Sequence, residues 1–194
     1  MATQDSRIKI KRSTISGTVP TVAPSDDHTQ PSPAWTATDI YKGELFINQA
    51  DNVVWSRGDD GVFCIGGTAE LTIASADVLT LNSTPLTIVS AVSGYAIEVV
   101  SASVKIAFNT TAYATNTSLH LHIDGADDNV GQIGNNILLA TVDQISSAYA
   151  PSNPSSGQTQ VLANADLQVK VPSGNPTTGD SDITVFVNYR LIPA

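Results

Sequence analysis

Between residues 183 and 191 the sequence alternates without a break. Ile183, Val185, Val187, Tyr189 and Leu191 fall on one side of an extended chain, and Thr184, Phe186, Asn188 and Arg190 on the other. A period of two cannot be a helix, whose faces recur every 3.6 residues. A strand of this kind is stable only against other strands that bury the same face. Residues 85–91, 95–100, 104–108, 119–123 and 167–171 carry related β patterns with turn-forming residues between them. Six such strands in about 120 residues imply an all-β fold built on a β-sandwich of jelly-roll-like type. One segment carries a rival pattern: Leu138, Val142, Ile145 and Tyr149 are spaced as on a helix face, while 137–139 reads equally as a buried strand feeding a short helical turn. The stretches 150–160 and 172–180, with Pro151, Pro154, Gly157, Pro176 and Gly179, read as surface loops.

The first third of the chain is organised differently. Residues 7–14 alternate, with Ile8 and Ile10 against Arg7, Lys9 and Lys11, as a short strand would. Such a strand is too short to stand alone, so a partner chain is expected to supply its other edge. Pro20, Pro24, Pro31 and Pro33 make 19–37 an extended linker. Three short apolar runs follow, 44–47, 53–56 and 62–65, separated by 48–52 and by the turn Arg57-Gly58-Asp59-Asp60-Gly61. They predict a small meander packed by Trp55 and Phe63. Gly66-Gly67 divides the chain into an N-terminal arm and small β module, 1–67, and a sandwich domain, 68–194.

Charge and cysteine content exclude several classes. A net charge of -9 leaves no surface for nucleic acid, whose phosphates need clustered Lys and Arg. Four of the 9 basic residues, Arg7, Lys9, Lys11 and Arg12, gather at the start, which suits either a basic peptide docking on an acidic protein surface or a merely solvated tail. A single cysteine, Cys64, excludes an intrachain disulfide and is expected to be a small core residue. The opening residues lack the apolar region of a signal peptide and no run is long enough to span a bilayer, so synthesis in a cytoplasm without membrane insertion is expected.

Candidate chemistry is sparse. His120, His122 and Asp124 share a strand face at a spacing of two and form a candidate metal set, set against a plain polar outer face with Leu119, Leu121 and Ile123 turned inward. The segment 124–129 offers calcium-type oxygens without EF-hand spacing. Tyr113, Asp127, Asn129 and Tyr149 are candidate contacts on displayed loops. There is no nucleophile elbow and no phosphate-cradling loop, so no catalytic residue, no enzymatic activity and no cofactor are expected. The Arg57-Gly58-Asp59 triplet is explained by its turn.

With these residues laid out, the N-terminal part resembles attachment modules of phage tail-fibre and capsid-fibre proteins. The marks are Ile8-Lys9-Ile10-Lys11-Arg12-Ser13, Val19-Pro20-Thr21, Gly43-Glu44-Leu45-Phe46-Ile47-Asn48, and Asp51 through Trp55; residues 23–42 are inserted between the second and third. Residues 69–191 look like a phage structural β domain, with Leu81-Asn82-Ser83-Thr84-Pro85 leading in and Val187-Asn188-Tyr189-Arg190 closing it. The resemblance implies a virion component attached through Arg7, Ile8, Lys9, Ile10, Lys11, Arg12, Pro20 and Thr21. A capsid decoration protein or head fibre, homotrimeric and in contact with other phage structural proteins, is the expectation. The alternative is a tail fibre, adaptor or receptor-binding protein contacting a host surface glycan or protein.

Overall fold

A computed structural model describes residues 10–25, 34–126, 129–149 and 161–194. The chain divides into two compact units, Met1–Gly66 and Gly67–Ala194.

Unit 1 contains β1 (Lys11–Ser13), β2 (Thr21–Val22), β3 (Asp39–Ile40), β4 (Leu45–Asn48), β5 (Val53–Arg57) and the opening of β6 (Val62–Ile73). Strands β1, β4, β5 and β6 lie side by side in that order, and β2 pairs in parallel with β3. The first of these pairings corrects the expectation for the arm. Lys11 lies opposite Phe46 and Ser13 opposite Asn48 in a parallel ladder, so this part of the strand takes its partner from its own chain. Arg7, Ile8 and Lys9 lie outside the described residues. Phe46 and Trp55 face each other across the β4–β5 hairpin and are both buried. Phe63 does not join them. It is 50% exposed, because the outward face of β6 takes Phe63 and Ile65, and Cys64 is half-buried where a core position was expected. The linker is also partly structured: Pro20 and Ala23 are buried on either side of β2.

Strand β6 runs unbroken through Gly66-Gly67, so the glycine pair ends no strand, although the two units meet there. Unit 2 adds β7 (Leu86–Val89), β8 (Tyr95–Ala107), β9 (Leu119–Ile123), β10 (Asn129–Gly134), β11 (Gln144–Tyr149), β12 (Leu167–Lys170) and β13 (Asp182–Pro193), with a single helical turn α1 (Ser75–Val78). One sheet has the order β6-β13-β8-β11 and the other β10-β9-β12-β7. Every connection therefore crosses from one sheet to the other except the β9–β10 hairpin. The facing sides hold the core, with Leu119, Leu121, Leu167, Val169, Val104, Ile106, Ile183, Val185 and Val187 all buried. Each such side chain contributes about 1.5–3 kcal/mol over its exposed state. The sheets approach closely at Gly134, where a Cβ would stand 2.6 Å from Ile137 Cγ2 and 3.1 Å from Val104 Cγ1.

Two expectations change here. The stretches 95–100 and 104–108 are one strand, β8. A register shift opposite Asn188 and Tyr189 leaves Val100 without a partner, and the buried set switches from Ile97 and Val99 to Ala102, Val104 and Ile106. A bulge inverts the alternation midway, which in the sequence reads as a gap between two strands. The helix-like spacing of Leu138, Val142, Ile145 and Tyr149 forms no helix. Residues Ile137–Leu139 make a 3-10 turn and Tyr149 lies in β11; Leu138 is buried while Val142 and Ile145 are exposed, so no common face exists.

Tyr113, expected on a displayed loop, is a plug at one end of the sandwich. It is 1% exposed, and its O–H donates to Ser181 O at 2.6 Å. Burial first, and then the nearby Asp182 and Asp180 carboxylates, push the phenol up to about 12. The ring lies where a side chain on Gly179 would go: a Cβ there would meet Tyr113 Cδ1 at 2.2 Å, and Gly179 holds a φ of 91° that favours glycine. Gly179→Ala is therefore expected to cost about 2–4 kcal/mol, measured by denaturant unfolding. A loss under about 1 kcal/mol would show that the 172–180 loop can move off the ring.

Candidate functional site

The basic arm is bound into unit 1 by polar contacts that begin with one lysine. Lys11 Nζ donates to Asp39 O, stands 3.9 Å from Glu44 Oε2 and lies 5.7 Å from the Tyr41 ring centroid. Glu44 in turn accepts from the Tyr41 amide at 2.9 Å. Lys11 is thus engaged within the chain, while Arg12 and Ile10 point to solvent. Thr21 also works internally, donating through Oγ1 to Asp39 Oδ1 at 2.5 Å, and the Thr36 amide donates to Asp39 Oδ2 at 2.6 Å. Those two donors, the Thr21 hydroxyl first, hold the Asp39 carboxyl below its ordinary range.

The motif residues after the linker serve the same end. Asn48 is buried; its Nδ2 donates to Ile15 O and Thr18 O at 3.1 Å and to Asp51 Oδ2 at 2.7 Å. Asp51 accepts from Ser16 Oγ at 2.6 Å and Gly17 N at 2.7 Å. A side-chain clamp therefore ties the segment after β1 to the β4–β5 turn. The Arg57 guanidinium donates to Ile40 O at 3.1 Å, which accounts for the arginine of the Arg57-Gly58-Asp59 triplet structurally.

In unit 2 the connections β6–β7, β8–β9, β10–β11 and β12–β13 gather at one end, where β6 finishes at Ile73, opposite the Gly67 end by which the chain enters the unit. Asparagines and one aspartate bind these loops together. Asn175 Oδ1 accepts from the amides of Asn82 and Ser83 at 2.9 and 3.1 Å, and Asn116 Nδ2 donates to Asn175 O at 3.1 Å. Asp180 accepts from the Thr110 and Thr111 amides at 3.1 and 2.9 Å and from Thr110 Oγ1 at 2.5 Å. Its carboxyl is held below the usual range by those donors, the Thr110 hydroxyl first. Beside this network lies an open cleft of about 470 Å³ lined by Asn116, Thr117, Ser118, His120, Asn136, Pro172 and Ser173.

His120 is the one residue of the candidate metal set that reaches this cleft. Among the described residues no three His, Cys, Asp or Glu side chains come together as metal ligands, so His120, His122 and Asp124 do not converge in the single chain. Asp124 begins the turn after β9, and its amide still donates to Asp166 O at 2.9 Å, one step beyond the pairing of Ile123 with Leu167. Leu119, Leu121 and Ile123 are buried inward, as the plain reading of this strand required. Of the displayed-loop candidates, Asp127 lies outside the described residues, and Asn129 and Tyr149 are positions in β10 and β11, their backbones paired with His122 and Ser101. The residues that the sequence did not flag are Asn116, Asn136, Ser173 and Asn175. Their signal is Asn recurring outside strands, with Asn116 and Asn136 both at positive φ, of 46° and 55°.

No protein-family model and no curated protein matches the chain. A solved structure described as the cyanophage Pam1 capsid asymmetric unit is similar over 66% of this chain and 86% of that one, at 14% identity and a TM-score of 0.41. Among the described residues no helix is long and apolar enough to cross a membrane.

His120 generates a pH prediction. Burial first, and then the charge on Lys170, push its imidazole below the ordinary 6.5, so the folded chain resists a proton that the unfolded chain accepts. Stability is therefore complete above pH 6.5 and declines as pH falls from there through the lowered folded value. In thermal melts between about pH 7 and about pH 5.5, His120→Gln is expected to lose less stability than the parent chain. Equal losses would place the acid sensitivity elsewhere.

Proposed function

We propose that the chain is a non-enzymatic structural component of a bacteriophage particle, a capsid decoration protein or head fibre held by unit 1 and presenting unit 2. The observation that carries this reading is the winding of unit 2. The unit 2 runs β6-β13-β8-β11 and β10-β9-β12-β7, joined by crossings at every step but one, support a jelly-roll reading, an architecture that recurs in viral capsid domains. The phage-like marks of unit 1 support the same assignment. Architecture alone is shared by lectins and cupins, so the role rests on the two together.

Attachment is assigned to β1. Its far edge carries no further strand among the described residues, which leaves it open to strand addition by a particle subunit. Arg12 and Ile10 are exposed beside that edge, and their chemistry suits an acidic, partly apolar acceptor. Removing residues 1–13 is expected to leave a folded unit 2 that no longer sediments with particles. Arg12→Glu, which spares the β1–β4 ladder, is expected to reduce incorporation most strongly at low salt. Full incorporation of both variants would rule the anchor out.

We also assign the chain to a homotrimer. Leu139 and Val142, on the segment leading into edge strand β11, and Ile145, within it, are all exposed, and a closed symmetric assembly would cover both that edge and those side chains. Light scattering is expected to give three times the chain mass of 20.2 kDa, and Ile145→Lys to lower it. A monomer at micromolar concentration would overturn the trimer. The runner-up role, a tail adaptor or receptor binder, is favoured by one feature, the open cleft at the loop end of unit 2.

A further inference from the structure

The cleft at the loop end has an unusual lining for so acidic a chain. Its side chains are amides, hydroxyls, one imidazole and one proline, with no Asp, Glu, Lys or Arg among them. Several of these groups already spend part of their hydrogen-bonding capacity on one another. Thr117 Oγ1 donates to Asn136 Oδ1 at 2.9 Å, and Ser118 Oγ accepts from the Asn136 amide at 3.3 Å. Asn116 Nδ2 is held by Asn175 O, at 3.1 Å. The wall is thereby fixed before any ligand arrives, which lowers the ordering cost of binding.

What remains is a set of complementary partners. Asn116 keeps Oδ1 as an acceptor and Asn136 keeps Nδ2 as a donor. Ser173 is exposed and offers a hydroxyl that can do either. His120 is 8% exposed, and its Nδ1 has no hydrogen-bond partner among the described residues. A polar nitrogen buried without a partner costs about 1–3 kcal/mol, a cost relieved when a ligand or water supplies the bond. Beside these groups, the half-buried Pro172 ring offers apolar surface.

We propose that this cleft binds a neutral saccharide. Sugar hydroxyls donate and accept at once, which matches a wall of amides and hydroxyls, and the C–H face of a pyranose matches the Pro172 ring. The volume admits roughly one or two pyranose rings. An anionic ligand would meet no cationic lining residue and a chain of net charge -9, and a cationic ligand would meet no carboxylate in the wall. The inference concerns unit 2 alone and goes beyond the particle role.

The test is a ligand-observed NMR titration of the full chain with methyl glycosides of glucose, galactose, mannose and N-acetylglucosamine, with sialic acid as the anionic comparison. At least one neutral glycoside is expected to bind saturably. Ser173→Trp, which fills the cleft from an exposed position, is expected to weaken that binding at least about tenfold with the melting temperature unchanged. Thr72→Trp, on the exposed face of β6, is expected to leave it intact. The proposal is overturned if no neutral glycoside binds up to about 50 mM, if Ser173→Trp binds as the parent does, or if sialic acid binds more tightly than every neutral sugar. Incorporation into particles, measured on the same variants, is expected to be unaffected, so a failed sugar titration leaves the structural role standing and a failed incorporation leaves the cleft standing.

Discussion

Strand β13 is paired along its length with β8 and, over Ile183 to Tyr189, with β6, and the order of unit 2 follows from that double engagement. An interior strand must satisfy hydrogen bonds on both edges while burying one complete face. Ile183, Val185, Val187, Tyr189 and Leu191 are all buried, and slipping the register by one residue would turn Thr184, Phe186, Asn188 and Arg190 into the core. The second sheet answers with Leu119, Leu121, Leu167 and Val169. Once these faces meet, the ends of the strands fix where the loops fall, and Tyr113 closes one end by filling the space that Gly179 leaves.

Unit 1 is held by different means. Its buried apolar set is small, centred on Phe46, Trp55 and Ile40, and small cores rarely suffice by themselves. Polar side chains take up much of the task. Glu44 braces the turn at Tyr41, Asn48 and Asp51 clamp the segment after β1, and Asp39 accepts from both Thr21 and Thr36. Asn48 does the most, since one side chain satisfies the carbonyls of Ile15 and Thr18 and the amides of Ala50 and Asp51. The same logic drew Lys11 inward, so that of the described arm residues Arg12 and Ile10 are the ones left facing outward.

The loop end of unit 2 shows how a surface without aromatic residues can still be built. Ser, Thr, Asn and Asp are flexible and well hydrated one at a time, and a displayed tip made of them reads as featureless. Brought together from four connections they lock one another, with Asn175 and Asp180 each holding amides from a neighbouring loop. The cleft beside them owes its shape to that mutual restraint and its neutrality to the absence of charged residues among its lining positions.

Periodicity by itself determined that the chain is all-β, and it located β9, β12 and β13 closely, because a residue's face in an extended strand depends only on its parity. The inward turn of Leu119, Leu121 and Ile123 was legible for the same reason, whereas burial of Trp55 was expected from its aromatic bulk, which failed for Phe63. Parity failed where a tertiary event resets it. The bulge at Val100 split one strand into two apparent ones, and the spacing of Leu138, Val142 and Ile145 mimicked a helix face although the chain passes there from a 3-10 turn into an edge strand. Tyr113 looked like a displayed aromatic because its loop is polar; only the closure of the sandwich end, with Gly179 making room, buried it. The strand order and the cleft were decided by tertiary structure alone, since both depend on which strands and loops lie side by side, and Thr72 and Thr184, 112 positions apart in sequence, are brought to hydrogen-bonding distance near this end of the fold.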